Sequence, residues 1–442
     1  MKVKAKVGTC QNMCPETEYK NRPINAFECD LNGKFQPKLA IKEYHRSDQG
    51  RQIREKDLRP LPVLLKTLDH ILNYVIGQKT NTSPETSEIQ MYYFVRDRLR
   101  IIRSEDITVQ NLDGPGVIRI LETSCLFFIW AGTRFNMENR EIFDYKQNVE
   151  QITQSLLSLT DLYDKYFEET HQHYPSEPFF RSLDLITYFI YPGFMVKLLS
   201  FSDEIRNSNY IQAVLEIRKA ILTRDISLFL SILDHVPVQM ASYILQRSKI
   251  IWEDIGYALR VSFSKRPFPK TFLTDFMRIP NELINTWSKS FVLSKSQDQN
   301  YFTYDVKSSL KTSLLPDVIV PDSFRLIQKF NNPNEFLSMD EATSSFSIKD
   351  FVAPKTDFTN DDNQTMPIIQ NKEDNSNNET KKATAQPAAP LTQTKEAENE
   401  NLGEESFQQL AVHQKEESIQ EESTNQENTP MSPPEPDVPM MM

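Results

Sequence analysis

Apolar residues recur every three or four positions through the middle of the chain, and this spacing predicts amphipathic helices. The clearest stretch starts at Leu61, where seven apolar residues share one helical face before Gly77 ends it. The turn Asp113-Gly114-Pro115-Gly116 precedes another apolar helix that runs through Trp130. Further helices are predicted at 89–103, 148–167, 178–191, 210–218, 226–235 and 238–259.

Helices of about 10 to 20 residues with short links are typical of stacked helical folds. Strand signals are nearly absent before Leu259, and no fixed sequence period is visible. We therefore predict a mainly α fold, with a helical-repeat body of the α-solenoid type or an irregular bundle over residues 61–259.

The pattern changes after Leu259. Two short helices are predicted next, and residues 301–306 then alternate as a strand does. Helix, helix and strand in this order predict a small winged-helix module over 260–320, which caps the body. Residues 321–354 are predicted to be a transition segment.

The two ends of the chain differ from the body. Residues 1–60 carry thirteen basic and eight acidic residues with little apolar periodicity, which predicts an extended segment wrapped on a folded body. Residues 371–442 carry fifteen acidic residues and five lysines, a net charge of −10. Because the whole chain carries −11, the first 370 residues carry −1. Residues 355–442 are therefore predicted to be a disordered acidic tail, and a nearly neutral body does not exclude nucleic acid as a ligand.

Four cysteines in a chain of 442 residues do not form a disulfide framework, and no secretory leader is visible. The most apolar run, 185–199, is too short to span a bilayer and is interrupted by Pro192-Gly193. It is predicted to be a buried helix. We expect a soluble protein of a reducing compartment, without a membrane partner.

Cys10, Cys14, Cys29 and His45 are four potential zinc ligands. Structural zinc sites usually join two close ligand pairs, but here the second pair is sixteen residues apart. Pro15, with Glu16 just behind it, is typical of a helix start. We favour helix entry with packed thiols over metal. The sequence also contains no nucleophile elbow, zincin motif or phosphate-binding glycine loop, which indicates a protein that is not an enzyme and has no cofactor.

Two basic clusters are candidates for phosphate contacts. Arg96, Arg98, Arg100 and Arg103 are interleaved with Asp97, Glu105 and Asp106, and this favours structural ion pairs. Lys265, Arg266 and Lys270 lie among Phe263, Phe268 and Phe272, so they are the better candidates for binding RNA or DNA, although a solvated loop explains them equally well.

Five ordered blocks of residues resemble the Sac-three/GANP family, also described as leucine permease transcriptional regulators. They cover about residues 8–310. The blocks are Gly8, Cys10 and Met13-Cys14-Pro15-Glu16 with Glu18; Lys42, Tyr44 and Arg46-Ser47; Leu58-Arg59-Pro60; Phe94, Asp97-Arg98, Arg100 and Arg103; and Asn148 with Glu150-Gln151.

This resemblance implies a PCI-like architecture, in which helical repeats are capped by a winged helix. It also implies a scaffold of a nuclear transcription-and-export complex. The implied partners are a second PCI-domain protein and a small acidic subunit of the proteasome-lid type, in a heteromeric complex that supports messenger-RNA export and biogenesis in the nucleus, at the nuclear pore.

Two departures from the family pattern keep other functions open. The family usually has Arg-Phe-His where this chain has Leu126-Phe127-Phe128, so the polar contact made by that trio is in doubt. The long export scaffolds also carry a nucleoporin-like region before the domain and a long helix after it, whereas seven residues precede Gly8 here. The alternatives are a shorter family member at the centrosome or spindle, located in the cytoplasm, and one linked to transcription elongation or splicing.

Overall fold

The computed structural model describes ten stretches of the chain. They are residues 6–30, 32–45, 53–77, 84–138, 142–264, 266–295, 300–304, 308–316, 318–321 and 333–351. Arg46 and Lys265 lie outside the described residues, and so does the predicted acidic tail.

Sixteen helices are present in the described residues, which confirms the mainly α fold. They are α1 Glu16–Tyr19, α2 Leu61–His70, α3 Pro84–Ile101, α4 Thr108–Gln110, α5 Pro115–Glu138, α6 Tyr145–Thr170, α7 Glu177–Ile186, α8 Phe194–Leu199, α9 Asp203–Arg206, α10 Asn209–Thr223, α11 Ile226–His235, α12 Val238–Gln246, α13 Lys249–Ser262, α14 Ile284–Ser290, α15 Pro333–Phe336 and α16 Met339–Ala342.

Shorter helical turns link several of these elements. π-helical turns span Ile71–Val75, Ile102–Ile107 and Phe272–Phe276, and 3-10 turns span Ala26–Glu28, Pro37–Leu39, Glu55–Asp57, Asn281–Leu283, Thr312–Leu314 and Ile348–Phe351. Because α3 runs through the second π turn into α4, residues 84–110 form one continuous rod.

Helix α5 is the centre of the body. It packs against α2, α3, α6 and α12, and α7 joins α6 to α10 on one side. By length and composition α5 is the one helix of the described residues able to cross a membrane, but 89% of its apolar window is buried inside the fold. Leu126, Phe127 and Phe128, where the resembled family usually has Arg-Phe-His, lie in this helix. All three are fully buried and add apolar packing.

A close approach of three helices fixes this centre. A Cβ added at Gly132 would lie 2.4 Å from Oε1 of Gln246 and 2.9 Å from Nδ2 of Asn148, so only glycine fits. The buried Asn148 amide donates to the carbonyl of Phe128 at 2.8 Å, and Gln246 donates to that of Ile129 at 2.7 Å. These bonds hold α6 and α12 against the same turns of α5.

Two predicted helices are divided in the structure. The segment 238–259 forms α12 and α13, because the Ser248 hydroxyl donates to the carbonyl of Leu245 at 2.8 Å and ends the first helix. The segment 185–199 is broken at Pro192-Gly193, and the prediction that it is a buried helix was wrong. Val196 and Leu199 in α8 expose 75% and 65% of their surface.

The segment after α13 contains three short strands, β1 Phe268–Pro269, β2 Leu293–Lys295 and β3 Tyr301–Tyr304. They form an antiparallel sheet in the order β1-β3-β2, with Phe268 opposite Phe302 and Leu293 opposite Tyr304. The strand predicted at Tyr301 is confirmed as far as Tyr304. The assignment of residues 260–320 to a winged-helix module stays a prediction.

Candidate functional site

Several of the residues that carry the family resemblance meet where the N-terminal segment contacts α3, the π-helical turn Ile102–Ile107 and α4. The two ends of that segment run side by side, since the Thr9 amide donates to Glu55 at 2.9 Å and the Cys10 amide to Leu58 at 3.0 Å. We call the ion pairs and hydrogen bonds that the described residues of this segment make with α3, the π-helical turn and α4 the N-terminal clamp.

The pair Arg59–Asp106 is the centre of the clamp, and both side chains are fully buried. The guanidinium donates to Oδ2 of Asp106 from Nη2 at 2.6 Å and from Nε at 3.2 Å, while the Arg59 amide donates to Oδ1 at 2.8 Å. Nη1 donates to the carbonyl of Met13 at 3.0 Å. One buried arginine therefore joins the signature around Cys14 to the π-helical turn that carries Asp106.

Gly8 closes the clamp from the other side. Its amide donates to Oε1 of Gln110 at 2.7 Å, and Nε2 of Gln110 donates to the carbonyls of Arg59 and Asp106, both at 2.8 Å. A Cβ at residue 8 would lie 2.6 Å from Gln110 and 2.7 Å from the carbonyl of Leu58. Glycine is required here because the chain passes too close for a side chain.

A second buried network joins the segment to α3. Arg22 donates to both oxygens of Glu28, and the Glu28 carboxylate also accepts from the amide of Ile41 at 3.0 Å. Arg98 pairs with Glu43 at 3.2 Å and lies over the ring of Phe94, 3.8 Å from its centre. Burial lowers the pKa of Arg98, and the carboxylates of Glu43 and Glu28 oppose that shift. This cation therefore has a structural role and does not face solvent.

Lys42 adds a third contact. It pairs with Glu105 and donates to the carbonyl of Asp57 at 2.9 Å. Burial raises the pKa of Glu105, and Lys42 opposes that shift. Glu105 and Asp106, which are interleaved with the basic cluster in the sequence, thus bind Lys42 and Arg59 of the N-terminal segment.

The other arginines of the basic cluster, in α3 and in the π-helical turn behind it, also make structural contacts. Arg96 pairs with Asp97 at 2.8 Å, Arg100 lies over the ring of Tyr44 at 4.0 Å, and Arg103 donates to Gln151 at 2.7 Å. Burial, with a contribution from Arg100, lowers the pKa of Arg103 to about 10. The ion pairs predicted for this cluster are therefore present at Arg96 and Arg98.

The cysteines are separate and buried. The thiols of Cys10, Cys14 and Cys29 lie near different acceptors, Asn12 O at 3.3 Å, Glu18 Oε1 at 3.5 Å and Asn25 O at 3.6 Å. No cluster of three or more His, Cys, Asp or Glu suited to a metal ion occurs in the described residues, so these thiols and His45 do not form one there. Burial, followed by Glu18, raises the pKa of Cys14 to about 12, which keeps it a thiol.

Three remaining signature residues lie at helix starts or on the surface. Pro15 and Pro60 directly precede α1 and α2, so Pro15 lies one position before its predicted place in the helix. Glu16 is exposed and pairs with Lys20. These residues set where the helices begin and add no chemical group to the clamp.

The basic residues of the C-terminal module lie apart from the clamp. Arg266 is exposed, and Lys270 is half-buried with its amide donating to Asn300 at 2.7 Å. The rings of Phe263, Phe268 and Phe272 pack at 5.2 to 6.2 Å and anchor this segment. Both side chains are thus placed on a fixed surface beside β1.

Sequence reasoning missed the partners that make the clamp. Asp106 and Gln110 were not recognised as the groups that meet Arg59 and Gly8, and Glu28 was given no role. Arg59 and Asp106 are 47 positions apart, and Gly8 and Gln110 are 102 apart, so local spacing gives no sign of either pairing. The one available signal was the presence of Glu105 and Asp106 near a cluster of arginines, which favoured structural ion pairs but did not identify their partners.

Comparisons with known proteins find similarity to one family over more than half of the chain. A family profile described as the SAC3/GANP family matches residues 13–294. SAC3 family protein 1 of Schizosaccharomyces pombe is 31% identical over 218 residues, 48% of this chain and 20% of that protein. Protein xmas of Drosophila melanogaster is 28% identical over 166 residues, 35% of this chain and 8% of that protein.

SAC3 family protein B of Arabidopsis thaliana is 26% identical over 247 residues, which are 50% of this chain and 14% of that protein. The matched part of the chain therefore spans a fifth or less of the length of each of these relatives.

Proposed function

The chain belongs to the SAC3/GANP family, and from this membership we propose that it is a non-enzymatic scaffold supporting nuclear messenger-RNA export and transcription-coupled messenger-RNA biogenesis. The clamp is the observation that supports a scaffold. It pairs the buried charges of the signature residues Arg59 and Arg98 with carboxylates of the same chain, so that these charges hold the fold together and are not available to a ligand.

The proposed binding face for a PCI-domain partner is the end of the molecule formed by α13 and the sheet. Ile250, Tyr257 and Val261 lie on one side of α13 and expose 42%, 56% and 60% of their surface. A row of apolar side chains at this spacing on a surface helix is typical of a protein interface. Trp252, on the buried side, packs against Trp287 of α14 at 6.3 Å and links this face to the module.

Purification of the tagged chain from nuclear extract, with bound proteins identified by mass spectrometry, tests the proposal. We expect a PCI-domain protein and a small acidic subunit to copurify. The substitutions Tyr257→Asp and Val261→Asp should abolish their recovery, whereas Leu157→Asp, at an apolar residue of α6 that is 64% exposed, should not. Recovery of tubulin or centrosomal proteins alone would contradict the nuclear assignment and support the centrosomal alternative.

Direct binding of RNA or DNA is the second candidate function, supported by the exposed Arg266 and by Lys270 beside β1. Changing Lys265, Arg266 and Lys270 to Glu should weaken binding and reduce the slope of affinity against salt concentration, because fewer counterions are released from phosphate. A salt slope equal to that of the wild type would exclude these three residues from a nucleic-acid surface.

A further inference from the structure

Residues 333–351, which we call the C-terminal strap, return to the helical body after the C-terminal module. The strap consists of α15, α16 and the 3-10 turn Ile348–Phe351. Helix α15 packs on α5, α16 packs on α12, and the final turn packs on α10 and α11. The sequence predicted a transition segment here and gave no indication that part of it is docked.

Apolar side chains anchor the strap along its length. Phe336 and Phe351 near its two ends expose 0% and 2% of their surface, and Ala342 between them is fully buried. The ring of Phe346 meets that of Tyr210 edge to face at 5.4 Å. Aromatic anchors in pockets of this kind supply most of the affinity when a short segment binds in a groove.

The hydrogen bonds between the body and the strap run from side chains of the body to main-chain carbonyls of the strap. Nε2 of Gln239 donates to the carbonyl of Phe336 at 2.8 Å, and Nδ2 of Asn209 donates to that of Phe346 at 2.9 Å. The hydroxyls of Tyr210 and Ser231 lie 3.3 Å from the carbonyls of Ser344 and Phe351. Because every peptide has such carbonyls, these four donors do not require this particular segment.

An empty groove would be unfavourable for the body. Gln239 is fully buried, and its Oε1 has no hydrogen-bond partner in the described part of the chain. If the strap left without replacement, Nε2 would lose this acceptor, and the apolar pockets that hold Phe336 and Phe351 would be exposed to water, which is unfavourable. Replacement by a second segment is therefore favoured over simple opening.

The strap itself is suited to exchange. Its two helices have four residues each, too short to be stable without the body, so they are ordered by docking. We propose that the groove lined by α5, α10, α11 and α12 is a docking site for short linear segments. The strap is its exchangeable occupant, and a partner segment with aromatic residues at the spacing of Phe336, Phe346 and Phe351 displaces it.

Covalent attachment makes the strap a strong competitor, because a tethered segment acts at an effective concentration that can reach about millimolar. Only a partner that binds tightly, or that is already held elsewhere on the molecule, would replace it. The groove would thus admit a segment of a protein that is already assembled on the scaffold.

The test measures binding of a fluorescein-labelled peptide of residues 333–351 to the full chain by fluorescence anisotropy. The variant Phe336→Ala with Phe351→Ala should release the strap, which hydrogen exchange of residues 333–351 confirms, and should bind the peptide at least about tenfold more tightly than the wild type. The single change Phe346→Ala, which leaves both buried anchors in place, should give a smaller increase.

Two matched variants locate the binding. In the released background, Gln239→Leu should weaken peptide binding, because it removes a donor to the peptide main chain, whereas Leu157→Ala should leave it unchanged. Equal affinity of wild type and released variant, or no binding by the released variant, would overturn the proposal. Light scattering that shows dimers formed by strap exchange would assign the groove to a second copy and would also overturn it.

Discussion

At the scale of single residues, the clamp depends on charges that have lost contact with water. A buried ion pair contributes little more to stability than a well-packed apolar pair. Removal of one partner, however, leaves the other as an uncompensated buried charge. Arg59 and Asp106 are both fully buried, so each is required as long as the other is present. The sequence showed both residues but not their pairing, because residues far apart in the chain carry no mark of contact.

The substitution Arg59→Met should lower the free energy of unfolding by about 3–5 kcal/mol, because Asp106 is left buried without a counter-ion. The double change Arg59→Met with Asp106→Leu should recover a large part of that loss. Denaturant unfolding of the three proteins measures both effects. A double variant no more stable than the single one would show that the hydrogen bonds to Met13 and from the Arg59 amide, and not charge pairing, are the main contributions of this pair.

Glu122 gives a prediction of pH dependence. It is 3% exposed and accepts hydrogen bonds from Tyr163 at 2.6 Å and from Ser176. Burial raises its pKa in spite of these two donors. A carboxyl whose pKa is raised on folding favours the folded state below its ordinary pKa near 4.5, and this contribution is lost as the pH rises through the folded value.

The variant Glu122→Gln should therefore be as stable as the wild type or more stable at pH 7. The difference in unfolding free energy between the variant and the wild type should shrink as the pH falls from 7 toward 4.5, because Glu122 of the wild type becomes protonated and neutral. Unfolding midpoints of both proteins across this range measure the difference between them. A constant difference at all pH values would show that Glu122 does not titrate there.

At the scale of elements, periodicity located most of the helices, and local hydrogen bonds decided where they end. The helix predicted at 226–235 has the observed bounds of α11, where Asp225 accepts from the amide of Leu228 at 2.9 Å. The break at Ser248 depends on one hydroxyl whose hydrogen bond no hydrophobic pattern shows. The strap was missed for a similar reason, since its anchors are single aromatic residues ten and five positions apart.

Docking of the N-terminal segment should be sensitive to Gly8. The change Gly8→Ala places a Cβ within 2.8 Å of Gln110 and the Leu58 main chain, and such overpacking costs about 1–3 kcal/mol. We expect faster proteolysis of the N-terminal segment and a lower unfolding midpoint. Gly193→Ala is the matched control, because its Cβ would meet no atom closer than Tyr188 at 3.8 Å. If both variants resisted proteolysis equally, the segment would have to shift far enough to make room for a Cβ at residue 8.

At the scale of the whole molecule, the described residues divide into helical body, N-terminal segment, C-terminal module and strap. The change of hydrophobic period after Leu259 indicates where helices give way to the three short strands, and the predicted bounds of the body and the module stay predictions. The module joins the body through a contact that periodicity could not show. A Cβ at Gly256 of α13 would lie 2.1 Å from the ring of Phe291, so the two pack without any side chain between them.

Removal of all residues after Pro354 should leave the thermal unfolding midpoint unchanged, because a segment of low apolar content adds little to a core. A chain that ends at Asn332 provides the comparison. It also lacks the strap, and the loss of two buried phenylalanines should cost about 3–6 kcal/mol. Calorimetry of the three proteins separates these contributions. A lower midpoint for the chain that ends at Pro354 would show that the acidic region stabilises the fold.

The π-helical turn Ile102–Ile107 sets a limit on insertions and deletions in this part of the chain. It holds one residue more than an α-helical turn over the same rise, and Asp106 and Gln110 face the N-terminal segment only in this register. Loss of a single residue from α3, where the rod is regular α-helix, would rotate everything behind it by about 100° around the helix axis and turn both side chains away from Arg59 and Gly8. The number of residues in this rod is therefore as strictly required as their identity.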